Sequence, residues 1–236
     1  MSAEKMRGRS LKIGKLDMEV LQKILERYPV EDPRVILGPK IGEDASVVDP
    51  GGQGGQYWVM TSDPITFTTD EIGYYGVVVN LNDIATRGAI PRWFLAILLF
   101  PEEETDTQLV EKVFLQIGDA CRRFGISLIG GHTEITPGIS RPILSGHMIG
   151  EVPKEKLVTT GGAREGDLLL LVKGVCIEGT SILARERERE LLARGLAPSL
   201  IQRARTFIFE PGIEVLSAAR TATEAATIHS MHDPTE

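Results

Sequence analysis

The segment GYYGVVVNLNDIATRGAIPRW, residues 73–93, places polar side chains inside a long apolar run. Its apolar residues predict a buried helix that ends near Gly88 and Pro91, because glycine and proline rarely continue a helix. Buried polar and charged side chains cost free energy unless something pairs with them. The polar residues of this helix therefore indicate what the rest of the fold must place against it.

One face of the predicted helix is polar. Steps of four, three and four residues put four positions on that face, since helical side chains three and four apart are neighbours. These positions are Gly76, Asn80, Asp83 and Arg87. An Asp83–Arg87 ion pair would satisfy two of them, and structural pairs of this kind are common. This face alone leaves both a structural ion pair and a functional site open.

Composition and charge restrict the class of protein. The 236 residues are 42% hydrophobic and 25% charged, which is typical of a soluble globular chain with one large or two ordinary domains. A net charge of −7 argues against a nucleic-acid-binding surface. The longest apolar run, residues 93–100, is too short to span a membrane, and the basic N-terminus has no signal-peptide core. We expect a cytoplasmic protein that binds neither nucleic acid nor membrane.

Strands and helices alternate along the first two thirds of the chain, which indicates an α/β or α+β fold. Strands are predicted at residues 34–38, 57–63, 92–100, 126–135 and 141–152. The apolar run at 92–100 is typical of a strand buried on both faces. Helices are predicted at 16–28, with Asp17 as N-cap, and at 105–125, started by a capping box of Thr105 and Gln108 and ended by Gly125.

A polar connector predicts a domain boundary near residue 155. The first domain would cover residues 1–155, with residues 1–15 as a flexible arm, and a second would start at 156. The second part predicts a strand at 167–174, helices at 181–195, 199–209 and 213–225, and a strand running into a functional loop at 228–236. Cys121 and Cys176 have no paired spacing, so we expect two reduced, buried thiols.

Acidic residues outside the helix point to a metal ion. Asp44 lies in IGEDAS, Asp63 follows a strand in TSDP, and Glu134 follows Gly130 and Gly131. Carboxylates about 4 Å apart repel by roughly 4 kcal/mol at an effective dielectric near 20. If these carboxylates converge, Mg²⁺ is the expected counter-ion, and it is often shared with substrate phosphates. No GxxxxGK[ST] loop is present, so a nucleotide site would have to be centred on the metal.

These motifs together resemble the AIR synthase (PurM-like) superfamily, most closely its HypE-like, AIR-synthase-related members. IGEDASVVD is similar to the GDDAAV motif, TSDPITF to the TTD segment, NLNDIATRGAIP to the helix motif, and LIGGHTEITPG to the GGDT or GGET loop. GGAREGDLLLLVKG and MHDPTE resemble the start and a central motif of a second domain. The resemblance covers nearly the whole chain after residue 11, and it implies a two-domain architecture.

The resemblance implies a shared site for ATP and Mg²⁺ in a homodimer of the N-terminal domain. Asp44, Asp63 and Asp83 would hold the metal, and Asp63 and Asp83 would be catalytic. Asn80 and Asn82 would orient the Asp83 region or contact phosphate. The remaining expected nucleotide contacts are Gly130, Gly131, His132, Glu134 and Asp233.

Two features depart from the family pattern. His132 stands where an aspartate is usual, and imidazole is a poor ligand for Mg²⁺. Either that metal contact is lost, or Glu134 and the loop backbone replace it. The chain also stops at HDPTE, where relatives continue, so we expect an incomplete second domain.

The resulting hypothesis is a HypE-like enzyme of the hydrogenase-maturation type. It would transfer the γ-phosphoryl group of ATP to an oxygen or sulfur of a small or carrier-bound substrate, with a maturation-complex partner. An enzyme similar to thiamine-monophosphate kinase or aminoimidazole ribonucleotide synthetase is the alternative. A nucleotide-binding scaffold without turnover belongs to a different class and also stays open. An α/β domain with merely superficial acidic residues is disfavoured, because five motifs occur in order.

Overall fold

A computed structural model describes residues 11–52 and 54–234. It has a mixed α/β fold with one six-stranded sheet in the order β1-β2-β3-β6-β4-β5. The strands are β1 Val35–Leu37, β2 Ser46–Val48, β3 Gln56–Ile65, β4 Ile90–Pro101, β5 Ser127–Thr136 and β6 Ile143–Pro153. The helices are α1 Met18–Leu25, α2 Ile72–Ala85, α3 Thr107–Phe124, α4 Ile177–Glu186, α5 Glu188–Ala193, α6 Pro198–Arg205 and α7 Leu216–Ala225.

The sheet is antiparallel except at one edge. β4 and β5 are parallel, and α3 makes the crossover between them, as a parallel connection requires. All five predicted strands of the first part are confirmed. The sequence did not predict β2, because only two of its three residues are apolar and turn-forming residues follow at 49–52.

The cap of α3 differs from the predicted capping box. Asp106 is the N-cap, and its carboxylate accepts a hydrogen bond from the Leu109 amide. The Thr105 hydroxyl instead donates to the Pro101 carbonyl oxygen at 2.6 Å. Asp17 is the N-cap of α1 as predicted, and Gly125 ends α3 with a φ of 69°.

Helix α2 is buried almost completely. Thirteen of its 14 residues are buried, because it packs against β3, β4 and β6 on one side and against α3 and α7 elsewhere. Gly146 of β6 permits this close approach: a Cβ there would lie 2.4 Å from Nδ2 of Asn80. The enclosure explains why the helix is apolar around most of its circumference.

The two faces of the sheet differ. Residues facing the helices are buried, whereas the side chains that alternate with them on β4 are half-buried. The prediction that β4 is buried on both faces is therefore wrong within the described chain. The cause is that α2 and α3 cover only one side of the sheet. The open face carries Trp58, Trp93, Leu95, Ile97 and Ile149.

The second part of the chain is helical. Residues 154–234 contain α4 to α7 and no strand among the positions described, so the predicted strand at 167–174 is wrong. Leu168, Leu169, Leu170 and Leu171 lie exposed. A strand needs a neighbour for its backbone hydrogen bonds, and every described strand belongs to the sheet of the first part. The predicted domain boundary near residue 155 stays a prediction.

The remaining expectations have mixed outcomes. The strand predicted at 228–236 is not formed over 228–234, and residues 235–236 lie outside the described chain, as do residues 1–10 of the predicted arm. Cys121 is a buried free thiol as predicted, but Cys176 is exposed. Among the described residues no helix has the length and apolar character needed to cross a membrane.

Two leucines provide a direct test of this packing. Leu98 is 1% exposed and Leu169 is 99% exposed. We expect Leu98→Ala to lower the free energy of unfolding by about 2–5 kcal/mol, because it opens a cavity in the core. Leu169→Ala should change it by less than about 0.5 kcal/mol. Urea denaturation measures both, and equal losses would show that Leu169 is packed in solution.

Candidate functional site

An acidic pocket lies where the β1–β2 loop, β3, α2 and the C-terminal segment meet. Its volume is about 280 Å³. It is lined by Lys15, Glu43, Asp44, Ser62, Asp63, Val79, Asp83, His232 and Asp233. Four of the predicted site residues, Asp44, Asp63, Asp83 and Asp233, therefore share one cavity. The sequence did not predict Glu43, although it directly precedes Asp44 in IGEDAS.

A single hydroxyl group connects the acidic residues. Oγ1 of Thr61 lies 2.7 Å from Oδ2 of Asp83, 3.0 Å from Oδ2 of Asp63 and 2.9 Å from the Asp44 carbonyl oxygen. A hydroxyl has one hydrogen to donate, so only one of these acceptors receives it at a time. Thr61 was missed from the sequence, although its spacing of two from Asp63 places both on one face of β3.

Asp83 cannot easily ionise in this environment. It is 7% exposed, and its pKa is raised to about 9. Burial is the largest cause; a hydrogen bond shared with Asp63 and the negative charges of Asp63 and Asp44 also raise the pKa, while the Thr61 hydroxyl lowers it. In the absence of a cation, Asp83 therefore holds a proton at neutral pH. A bound cation would take over the role of that proton.

Asp233 shows the same tendency from the C-terminal segment. Burial raises its pKa, against the opposing effects of a hydrogen bond with Asn82 and the charge of His232. His232 itself lies close to the pocket wall, with Nδ1 3.0 Å from Oδ2 of Asp44. The end of the described chain is thus part of this cavity.

The two asparagines of α2 are engaged by the protein. Nδ2 of Asn80 donates to the Gly76 carbonyl oxygen at 2.8 Å, and Oδ1 accepts from the Asp63 amide at 3.1 Å. Asn82 bonds the backbone of Ile213 and Val215 at 2.9 and 3.0 Å. Both side chains are buried, so this geometry favours the orienting role over a direct phosphate contact.

Arg87 does not pair with Asp83. Its guanidinium is fully buried, with Nη1 3.4 Å from Oε2 of Glu43 and Nη2 3.6 Å from Oδ2 of Asp44. Nη2 also donates to Oγ1 of Thr160 at 2.7 Å. The structural ion pair that the sequence left open is therefore not formed, and the immediate neighbours of Asp83 are a hydroxyl and other carboxylates.

The four predicted site residues on β5 lie outside this pocket. β5 is the edge strand, separated from β3 by β6 and β4. His132 and Glu134 pair in register with Ile97 and Leu99, and their side chains contact each other at 2.9 Å while largely exposed. Gly130 and Gly131 precede them, and a Cβ on Gly131 would lie 1.9 Å from the Ala96 carbonyl oxygen. The role of these residues stays a prediction.

The donors of the pocket fit Mg²⁺ in type. They are carboxylate oxygens, which hard cations prefer, and the buried Oδ2 atom of Asp233 has no hydrogen-bond partner. Among the described residues, however, no three His, Cys, Asp or Glu side chains are arranged to hold a metal ion. Magnesium is commonly bound by one or two carboxylates together with water and substrate phosphates. The pocket is therefore suited to a magnesium ion that arrives with a phosphate ligand.

Comparison with known sequences matches part of the chain to a protein family. Residues 42–152 match the family model of the AIR synthase related protein, N-terminal domain. A selenide, water dikinase from Nitratidesulfovibrio vulgaris (strain DSM 19637 / Miyazaki F) is 31% identical over 188 residues, which cover 76% of this chain and 50% of that protein. The chain spans about half the length of the curated relatives it matches.

Comparison with solved structures agrees with the fold. AaThiL complexed with AMPPCP and TMP superimposes with a TM-score of 0.64 at 18% identity, covering 86% of this chain and 60% of that one. Hydrogenase maturation protein HypE in complex with ATP superimposes with a TM-score of 0.51 at 26% identity, covering 61% and 44%. At 18% identity the first likeness concerns the fold alone.

The pKa of Asp83 predicts how pH affects stability without ligand. Between the unfolded value near 4 and the folded value of about 9, the folded state binds more protons than the unfolded state. Stability therefore falls as pH rises through this window, and Asp83→Asn removes the loss. At pH 7 we expect the variant to gain about 2 kcal/mol or more, which raises Tm by roughly 4–8 °C.

Thermal unfolding in EDTA from pH 4 to 9 measures this difference. It should grow with pH and vanish near pH 4. The exposed Asp119→Asn is the matched control and should follow wild type at every pH. Parallel curves for wild type and Asp83→Asn would show that Asp83 ionises normally.

Proposed function

Residues 42–152 match the family model of the AIR synthase related protein, N-terminal domain, and on this premise we propose that the chain is a magnesium- and ATP-dependent phosphoryl-transfer enzyme. The observation that carries the proposal is that Asp44, Asp63 and Asp83 line one pocket, in which the Thr61 hydroxyl can donate to only one of Asp63 and Asp83 at a time. A magnesium ion would neutralise the negative charge that these carboxylates bring together. A relative that is a dikinase and a structural neighbour that binds ATP support the same chemistry.

The roles of the residues follow from their positions. Asp44, Asp63 and Asp83 would supply carboxylate oxygens to magnesium, with one or two of them on an ion and with phosphates and water completing its coordination. Magnesium, when bound, would neutralise the charge on transferring phosphates. Asp83 gives up its proton when the cation is present. Asn80 fixes the Asp63 backbone to α2, so that the two carboxylates keep their separation. Asp233 closes the pocket from the C-terminal side.

The finer proposal is a HypE-like enzyme that activates an oxygen or sulfur of a small or carrier-bound acceptor, with a maturation-complex partner. Its support is the HypE likeness at 26% identity. A second candidate acceptor is selenide, favoured by the relative that is named selenide, water dikinase. Two alternatives to these acceptors are tested below: thiamine monophosphate as the acceptor, and a nucleotide-binding scaffold without turnover.

A homodimer is part of the proposal. The sheet face away from the helices carries Trp58 and Trp93, whose rings meet edge to face at 6.4 Å, beside the half-buried Leu95 and Ile97. An apolar face of this kind usually marks an interaction surface, and a second copy offers a self-complementary one.

Ligand binding tests the central proposal. At one hundred times its Kd, Mg·ATP stabilises a protein by about 2.7 kcal/mol, which raises Tm by roughly 5–10 °C for a chain of this size. We expect this shift in wild type and in Asp119→Asn, and none in Asp63→Asn or Asp83→Asn. An equal shift in Asp83→Asn would refute the assignment of the pocket.

Turnover distinguishes an enzyme from a scaffold. We expect ATP consumption with one of the acceptors selenide, thiamine monophosphate or a carrier-bound thiol, and its loss in Asp83→Asn. A Mg²⁺-dependent thermal shift with no ATP consumption under any of these conditions would favour the scaffold.

The oligomeric state in solution tests whether the open face of the sheet forms a dimer interface. We expect wild type to be dimeric by light scattering and Ile97→Glu to be monomeric, because a buried unpaired charge is costly. Leu115→Glu is the matched control, since Leu115 is an exposed leucine on α3, away from this face. A dimer that survives Ile97→Glu would place the interface elsewhere.

A further inference from the structure

We propose that Arg87 is a positioning residue, which holds the 43–44 loop beneath the pocket so that Asp44 presents its carboxylate to the bound cation. The proposal rests on the proposed function. Arg87 itself does not line the pocket. It would act through Glu43 and Asp44, the two adjacent carboxylates that its guanidinium faces.

The guanidinium joins three separate parts of the chain. Arg87 follows the C-terminal end of α2, faces the loop of Glu43 and Asp44, and donates to Thr160 in the connector after β6. Its own carbonyl oxygen accepts a hydrogen bond from the Val158 amide at 3.2 Å. These contacts fix the acidic loop relative to the helix that carries Asp83.

Glu43 is the anchor of this arrangement. Its side chain is 3% exposed and accepts hydrogen bonds from the amides of Thr160 and Gly161, each at 3.0 Å. Glu43 is thus fixed between these two amides and the guanidinium of Arg87, and Asp44 beside it lines the pocket.

Burying the guanidinium of Arg87 costs free energy, which indicates that Arg87 does more than fill space. Nε of Arg87 is buried without a hydrogen-bond partner, and Nη1 has only the 3.4 Å ion-pair contact with Glu43. A buried unsatisfied donor costs about 1–3 kcal/mol. An apolar residue of similar volume could fill this space without that cost. Lysine could not replace Arg87 fully, because a single ammonium lacks the planar fork that faces Glu43, Asp44 and Thr160 together.

Variants of Arg87 should affect cation binding differently if Arg87 acts only through its charge than if it positions Asp44. If Arg87 only reduced the negative potential, its removal would strengthen cation binding, and Arg87→Lys would behave as wild type. If Arg87 positions Asp44, both Arg87→Met and Arg87→Lys weaken cation binding. Loss of a group that orients a metal ligand typically costs 10–100-fold in metal affinity.

The experiment is a Mg²⁺ titration of ATP binding by calorimetry, together with Tm in EDTA. For Arg87→Met we expect the Mg²⁺ concentration at half-saturation to rise about 10–100-fold, with a smaller rise for Arg87→Lys. Glu43→Gln should raise this Mg²⁺ concentration as well. The double variant of Arg87→Met and Glu43→Gln should need no more Mg²⁺ than the single variant that binds Mg²⁺ less tightly, since both residues act on one loop. Arg187→Met is the control, because Arg187 is exposed, pairs with Glu190 of α5 and should leave the titration unchanged.

Four results would overturn the inference. Folded Arg87 variants with a lower Tm but an unchanged Mg²⁺ titration would show a purely structural role. A lower Mg²⁺ requirement in Arg87→Met, with Arg87→Lys unchanged, would show an effect of charge alone. Wild type that binds no nucleotide with Mg²⁺ would overturn both this inference and the proposed function, whereas loss of binding in Asp83→Asn only would overturn this inference alone.

Thr160→Val keeps the test decisive if Arg87→Met does not fold. It removes the hydrogen bond from Arg87 at 2.7 Å and leaves every charge in place. We expect a rise in the Mg²⁺ requirement in the same direction as for Arg87→Lys. An unchanged titration in Thr160→Val and Arg87→Lys would again overturn the positioning role.

Discussion

Helix α2 is enclosed by the sheet, by α3 and by α7, and it carries an aspartate into that enclosure. A carboxylate that is 7% exposed needs a proton or a cation, because water cannot solvate its charge. The Thr61 hydroxyl can donate its hydrogen either to Asp83 or to Asp63, and the other neighbours of Asp83 are carboxylates. The electrostatics of the pocket, its suitability for a cation and the raised pKa of Asp83 all follow from this placement.

The polar residues next to Asp83 convert an apolar helix into a frame for the site. Asn80 ties α2 to β3 at Asp63, Asn82 ties it to the segment before α7, and Arg87 ties its end to the acidic loop. Each of these buried groups has its contacts within the protein, so the helix cannot shift without breaking them. The pocket therefore owes its shape to side chains that do not themselves face the ligand.

Two apolar regions are left open by the described chain. One is the sheet face with Trp58 and Trp93, and the other is the extended run of Leu168 to Leu171. Exposed apolar surfaces of this kind usually contact another molecule or another part of a protein. The first supports the homodimer that we propose, while nothing in the described residues shows what covers the second.

The sequence by itself determined five of the six described strands, the buried helix and four of the five acidic residues that line the pocket, because hydrophobic periodicity and strand ends are local signals. It also predicted that Asp83 would need a partner. Only the tertiary structure decided which groups meet Asp83. Thr61, which contacts Asp83, lies far from it in sequence. Arg87 pairs with Glu43 and Asp44 and not with Asp83, and this pairing depends on how the loop of residues 43–44 packs. The run at 167–174 has the composition of a strand, but a strand forms only where a neighbour supplies its hydrogen bonds, and that neighbour is a property of the fold and not of the segment.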